Sequence, residues 1–147
     1  MTVRRDLTIT NETRNLSTVR ANVSDVLAQS PFDQNMRNKI IVAVDEALAN
    51  VVEHAYEGES GEIVVVVEMD SERLRVQICD NGVEFDPGDR LTSTIDIHEH
   101  IRKGLKGGLG LFLMRQIMDE VHFVQDSEWT NELVMIKNLP TADEAAP

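Results

Sequence analysis

The stretch QNMRNKIIVAVDEALANVVEHAY, residues 34–56, decides how this chain folds. On a helical wheel at about 100° per residue with Glu46 at zero, Ile40, Ile41, Val44, Leu48, Val51, Val52 and Ala55 fall within roughly 120° to 240°. That arc predicts a core face. Glu46, Asn50 and His54, each four residues apart, climb the same helix as one polar stripe at roughly 0°, 40° and 80°, bordering the apolar arc. A helix that buries one face needs a second layer to pack on, and the flanking sequence supplies it.

Beyond Gly58 and Gly61 the pattern changes to strands. Residues 62–69 are β-branched, and residues 73–79 alternate Leu74, Val76 and Ile78 against Arg75, Gln77 and Cys79. The break at Asp70-Ser71-Glu72 makes these two strands a hairpin. Upstream, residues 3–10 carry the alternation Leu7, Ile9 and predict a short edge strand, while Leu16, Val19, Val23, Val26 and Leu27 predict an amphipathic helix ending before Ser30-Pro31. From Asp80 to Gly108 charge is dense and periodicity is slight, so a long irregular loop is expected, with a short helical turn near residues 95–101. In a compact domain such a loop has the pattern of a functional lid. A glycine-opened helix over residues 109–118 and a hairpin of residues 121–125 and 132–139 complete the chain. The order β-α-α-β-β-loop-α-β-β predicts an α+β fold, a two-layer sandwich in which helices cover a mostly antiparallel sheet. One domain is expected over residues 1–139, followed by a small, acidic, disordered tail at 140–147.

The charge is uneven. Of a formal −12 over 147 residues, residues 1–50 contribute nothing, with six basic and six acidic side chains, and residues 51–147 hold eight basic against twenty acidic. A direct nucleic-acid ligand or an anionic membrane surface would call for a basic face, and none is present. Arg4, Arg5 and Asp6 stand where a signal peptide would be apolar, and the longest aliphatic run is only residues 63–67, so neither secretion nor a membrane span is expected. Cys79 is the sole cysteine, which excludes an intramolecular disulfide and fits a reducing cytoplasm.

Three constellations carry chemistry. The first is Glu46 and Asn50 on one helix face, where a carboxylate can act on a proton while an amide oxygen ligates a hard cation such as Mg²⁺. Taken alone, the pair also fits an ordinary solvated helix flank. The second is Asp80-Asn81-Gly82-Val83-Glu84-Phe85-Asp86-Pro87, where a buried-type strand runs into a carboxylate and a glycine. The carboxylate can accept from an exocyclic amine of a base, and the glycine lets a flat ring approach the backbone, although the same residues fit an Asp-Asn-Gly turn. Its spacing does not match a calcium loop. The third is Gly107-Gly108-Leu109-Gly110-Leu111, opening a helix whose N–H groups can close on phosphate oxygens, with Arg102, Lys103 and Lys106 just upstream. No Lys-Ser or Lys-Thr follows, so it is not a Walker loop, and the run equally fits a glycine-rich helix start with purely structural meaning.

In this order and at this spacing the chain resembles the Bergerat-type ATP-binding fold of gyrase, the heat-shock chaperone, sensor histidine kinases and mismatch-repair ATPases. Within that group it is most similar to the small bacterial anti-sigma regulatory factors with serine/threonine kinase activity. The resemblance spans residues 8–137. The N-box is similar to residues 44–56, the adenine box to residues 80–87 and the phosphate box to residues 107–114. The resemblance implies that Asn50 ligates Mg²⁺ bridging the ATP phosphates, that Glu46 activates the attacking hydroxyl and that Asp80 binds the adenine amine. It further implies that Gly82 packs on the base, that Gly108, Leu109 and Gly110 present phosphate-facing amides, and that the loop is an ATP lid. Lys106 stands where some relatives carry arginine. His54 borders the nucleotide or is a half-buried boundary histidine, and Phe85 walls the pocket or belongs to the core.

The function so implied is an ATP-dependent protein-serine/threonine kinase and anti-sigma factor in a partner-switching circuit. It would use ATP and Mg²⁺, hold a sigma factor and phosphorylate a serine on an anti-sigma antagonist of the STAS type. A homodimer is part of the same expectation. The alternative is an ATP-gated regulatory module that sequesters a partner without phosphotransfer.

Overall fold

A computed structural model describes residues 2–84, 109–124 and 126–140. Among these, the chain runs β1 (Val3–Thr10), a short 3-10 turn (Thr13–Asn15), α1 (Leu16–Ala28), α2 (Gln34–His54), β2 (Glu62–Met69), β3 (Arg73–Asp80), α3 (Leu109–Ile117), β4 (Glu120–Phe123) and β5 (Asn131–Asn138). The strands form one sheet in the order β1-β2-β3-β5-β4, and every neighbouring pair is antiparallel. This is the expected α+β sandwich, with β1 at one edge.

The period-2 pattern of the strands explains which face the helices cover. Ile63, Val65 and Val67 of β2, Leu74, Val76 and Ile78 of β3, and Met135 of β5 are almost fully buried and join one core with Val19, Val23 and Leu27 of α1 and Ile40, Val44 and Leu48 of α2. Each such aliphatic side chain contributes about 1.5–3 kcal/mol on burial. α2 is flanked by α1 and α3 and touches β3, so it lies over the sheet beside the strand that ends in Asp80.

α2 starts where Asp33 caps it, accepting the Met36 N–H at 2.8 Å. Arg37 secures the preceding turn by donating to the carbonyl oxygens of Phe32 and Ser30 at 2.8 and 3.1 Å. The helix stops at His54, two residues short of the expected end, and Glu57 and Gly58 then take left-handed φ of 46° and 87°. Its buried face is wider than the large aliphatics alone indicate, because Ala43 and Ala47 are buried as well. At the far end of the core, Lys137 of β5 donates to the Ile117 carbonyl at 2.8 Å and lies 3.5 Å from Asp119, whose Oδ2 accepts the Asn138 N–H. These contacts satisfy the C-terminus of α3 and fix it to the sheet.

β3 extends one residue beyond the expected Cys79, because Asp80 pairs with Ile63 on one side and Asn131 on the other. The expected lid beyond Glu84, with its helical turn near residues 95–101, lies outside the described residues, as do residues 141–147 of the tail. Among the described residues no helix is long and apolar enough to cross a membrane.

Candidate functional site

The site is built outward from Asp80. Placed last in β3 on the helix-facing side, its side chain is only 2% exposed. A buried carboxylate needs donors. Oδ1 accepts the Gly82 N–H at 2.9 Å and the Asn131 side-chain amide at 2.9 Å. The same Asn131 amide nitrogen donates to the Val83 carbonyl at 2.8 Å, and Asn81 Oδ1 accepts the Thr130 N–H at 3.0 Å. The turn of residues 80–83 is thereby held against the start of β5.

The end of α2 holds that turn from its other side. The Val83 N–H donates to the Ala55 carbonyl, and the Asn81 N–H donates to the Tyr56 hydroxyl at 3.1 Å. Gly82 sits so close to the helix end that a Cβ there would overlap the Ala55 carbonyl and stand 2.9 Å from the Ala55 Cβ. Only glycine allows this approach. The missing side chain of Gly82 therefore allows the turn to approach the end of α2 this closely.

Between these elements lies an open cleft. Its α2 wall is Ala47, Asn50 and Val51, continued by Ala55 just past the helix; Ile78 and Asp80 form the β3 floor; Met114 comes from α3; and Phe123, Asn131 and Leu133 close the β4–β5 side. Val83 and Glu84 stand at the remaining edge. Apolar walls around a few fixed polar groups suit a flat heterocycle held by directed hydrogen bonds. Among the described residues the Gly82 N–H and the Asn131 amide both reach Asp80 through Oδ1, and a carboxylate has further lone pairs with which to accept from an exocyclic amine on a ligand. The residues present thus fit the base of a purine nucleotide.

The fit to Mg²⁺ rests on Asn50, whose half-buried amide shares the cleft with Asp80. Among the described residues no group of three or more His, Cys, Asp or Glu side chains could hold a metal ion. A hard cation at this position could take one oxygen from the Asn50 amide, with phosphates and water as further oxygen donors of the kind Mg²⁺ prefers.

Asn50 and Asp80 line the same cleft, and Ala47, almost one turn ahead of Asn50, is a small residue in its wall. Glu46 lies one turn before Asn50, exposed and outside the cleft lining. His54 is the last residue of α2, and Leu109 and Gly110 open α3. Phe85, Lys106 and Gly108 lie outside the described residues. Sequence reading missed Asn131 and Tyr56. The only signal for Asn131 was its place at the head of the last strand, opposite the end of β3 in an antiparallel pairing.

Cys79 neighbours Asp80 but points to the other face of the sheet. Burial pushes its thiol up to about 11, with the negative charge of Glu132 adding to the effect. It stays protonated at neutral pH and takes no part in the site.

The histidine kinase-like ATPase domain family matches residues 9–137 of the chain. The serine-protein kinase RsbW of Bacillus cereus is 31% identical over 114 residues, covering 76% of this chain and 71% of the relative. The serine-protein kinase RsbW of Bacillus thuringiensis subsp. konkukian is similar to the same extent, 31% over 114 residues. With Asp80 at the end of a central strand and Asn50 on the helix across the cleft, the chain belongs to the histidine kinase-like ATPase domain family, in the anti-sigma serine-protein kinase group.

Proposed function

We propose that this protein is an ATP-dependent protein-serine/threonine kinase and anti-sigma factor, acting as one ATP-binding domain in a partner-switching circuit. It holds a sigma factor and phosphorylates a serine of a STAS-type antagonist, in the cytoplasm and as a homodimer. The observation that carries the reading is the buried Asp80 carboxylate, fixed through Oδ1 by Gly82 and Asn131, on the floor of a cleft that Asn50 enters from α2. The similarity to serine-protein kinases supports the reaction type.

In this reading Asp80 accepts the adenine amine, and the apolar walls from Val51, Ala55, Ile78, Met114 and Leu133 exclude water from the base. Asn50 orients the phosphate end through its amide oxygen. Mg²⁺, when bound, neutralises phosphate charge. The amides of Gly108, Leu109 and Gly110 approach the phosphates at the positive end of α3, with Lys106 adding charge. Glu46, exposed one turn from Asn50, can reach a hydroxyl presented by a second protein, accept its proton and orient its attack. Little covalent chemistry is asked of the chain, since positioning and charge neutralisation supply most of such a transfer.

A second reading, the ATP-gated binding module without phosphotransfer, is favoured by one observation: Glu46 does not line the cleft. Incubation with γ-labelled ATP and the STAS-type proteins of the same genome separates the two. The kinase reading expects label on a serine of one of them. Nucleotide binding with no transfer to any would replace it with the module.

A further inference from the structure

Tyr56 occupies the place where the helix bearing Asn50 meets the turn bearing Asp80. Its hydroxyl accepts the Asn81 N–H at 3.1 Å and donates to the Glu62 carbonyl at 2.5 Å, so one oxygen joins the first residue after β3 to the first residue of β2. Its ring lies against Gly61, where a Cβ would overlap it. Tyr56 does not line the cleft, so any effect it has on a ligand must pass through the turn.

The turn has three other anchors: Val83 on Ala55, Asn131 on Asp80 and Val83, and Thr130 on Asn81. Those hold residues 82–83 to α2 and the whole turn to β5. Asn81, directly after Asp80, is tied to the α2 side by the Tyr56 hydroxyl. Without that hydroxyl the three other anchors remain, but the Asn81 N–H loses its tie to the α2 side and the peptide next to Asp80 is less firmly fixed. Hydrogen bonds weaken steeply with misalignment, so a shift of a few tenths of an ångström is felt by a ligand amine on the carboxylate before it is felt by the apolar walls.

We propose that Tyr56 is a positioning residue for base recognition, setting through Asn81 the geometry in which the Asp80 carboxylate meets the exocyclic amine of adenine. The proposal rests on the ATP reading above and adds to it a residue that governs selectivity among purines without touching them.

The test compares Mg·ATP with Mg·ITP, whose ring carries an oxygen in place of that amine, by calorimetry on the full wild-type chain and on Tyr56→Phe. A site built to pair a polar group rejects the analogue lacking it. Wild type is expected to prefer ATP by about tenfold or more, the scale of one charge-assisted hydrogen bond. Tyr56→Phe is expected to lower that preference by about fivefold, through weaker ATP binding with ITP affinity nearly unchanged. A uniform loss on both nucleotides, which a merely structural role would produce, overturns the proposal, and so does an unchanged preference. Should Tyr56→Phe fail to fold, Gly61→Ala displaces the same ring from the opposite side, and a wild-type preference in that variant also overturns it. A folded wild-type chain that binds ATP and ITP equally removes the Asp80 assignment itself. That result is distinguishable from one in which wild type discriminates and Tyr56→Phe discriminates just as well.

Discussion

The side-chain amide of Asn131 stands 2.9 Å from Oδ1 of Asp80, at the directly paired position of the neighbouring strand. Because Asp80 is almost fully buried, that donor is half of what the described residues offer its carboxylate, and the same nitrogen also satisfies the Val83 carbonyl. Asn131→Ala leaves both acceptors short. A loss of about 1–3 kcal/mol in stability is expected, measured by urea unfolding, together with weaker ATP binding. An unchanged urea midpoint would show that water replaces the amide without cost.

Gly82→Ala tests whether this glycine is needed for its contact with α2. The added Cβ would overlap the Ala55 carbonyl, so the turn must move or the helix end must yield. Overpacking of this kind costs about 1–3 kcal/mol. The melting temperature should fall with or without nucleotide. Full stability combined with lost ATP binding would instead place the role of Gly82 on the base.

Glu46 and Asn50 stand on one helix, the first exposed and the second in the cleft, and their substitutions should separate. Glu46→Ala should lower serine phosphorylation by about 10² to 10⁴ with ATP affinity kept, the usual range for a placed general base. Asn50→Ala should weaken ATP binding and flatten its dependence on magnesium concentration. Equal loss of binding and transfer in Glu46→Ala would count against its role as base.

Cys79 gives a pH dependence with a definite sign. The folded thiol titrates at about 11 against an ordinary value of 9.0, chiefly because it is buried. Between those values the unfolded chain releases a proton that the folded chain keeps, so this group's contribution is fully present below 9.0 and is lost as pH rises through the folded value. Cys79→Ala should therefore lose less stability than wild type on going from pH 8 to pH 10.5 in chemical denaturation, with the solution values chosen at roughly the two ends of that window. At pH 8 a thiol reagent should label the folded chain about two orders of magnitude more slowly than the unfolded one. Rapid stoichiometric labelling of the folded chain would show the thiol to be accessible.

Much of the fold was legible because β-branched runs and helical spacing are strong local signals. Residues 62–69 read as the strand they form, and the first helix ends before Ser30 as expected. Ala43 and Ala47 were harder to place. A small side chain contributes little to an apolar pattern, yet it is what lets α2 approach its neighbours and leaves room for the cleft. Asp80 was recognised by residue type, but its burial depends on pairing with Asn131, some fifty positions away in sequence, which no local pattern encodes. Tyr56 read as the end of a helix. Its function as a link between Glu62 and Asn81 exists only once β2 and β3 lie side by side.

The central claim is that the cleft takes ATP by its base through Asp80, and calorimetry of Mg·ATP on wild type and Asp80→Asn tests it most directly. The account predicts one nucleotide per chain for wild type and, for Asp80→Asn, a Kd weaker by about tenfold or more, because a neutral amide replaces the charged acceptor. A folded Asp80→Asn chain that binds Mg·ATP as tightly as wild type would contradict it.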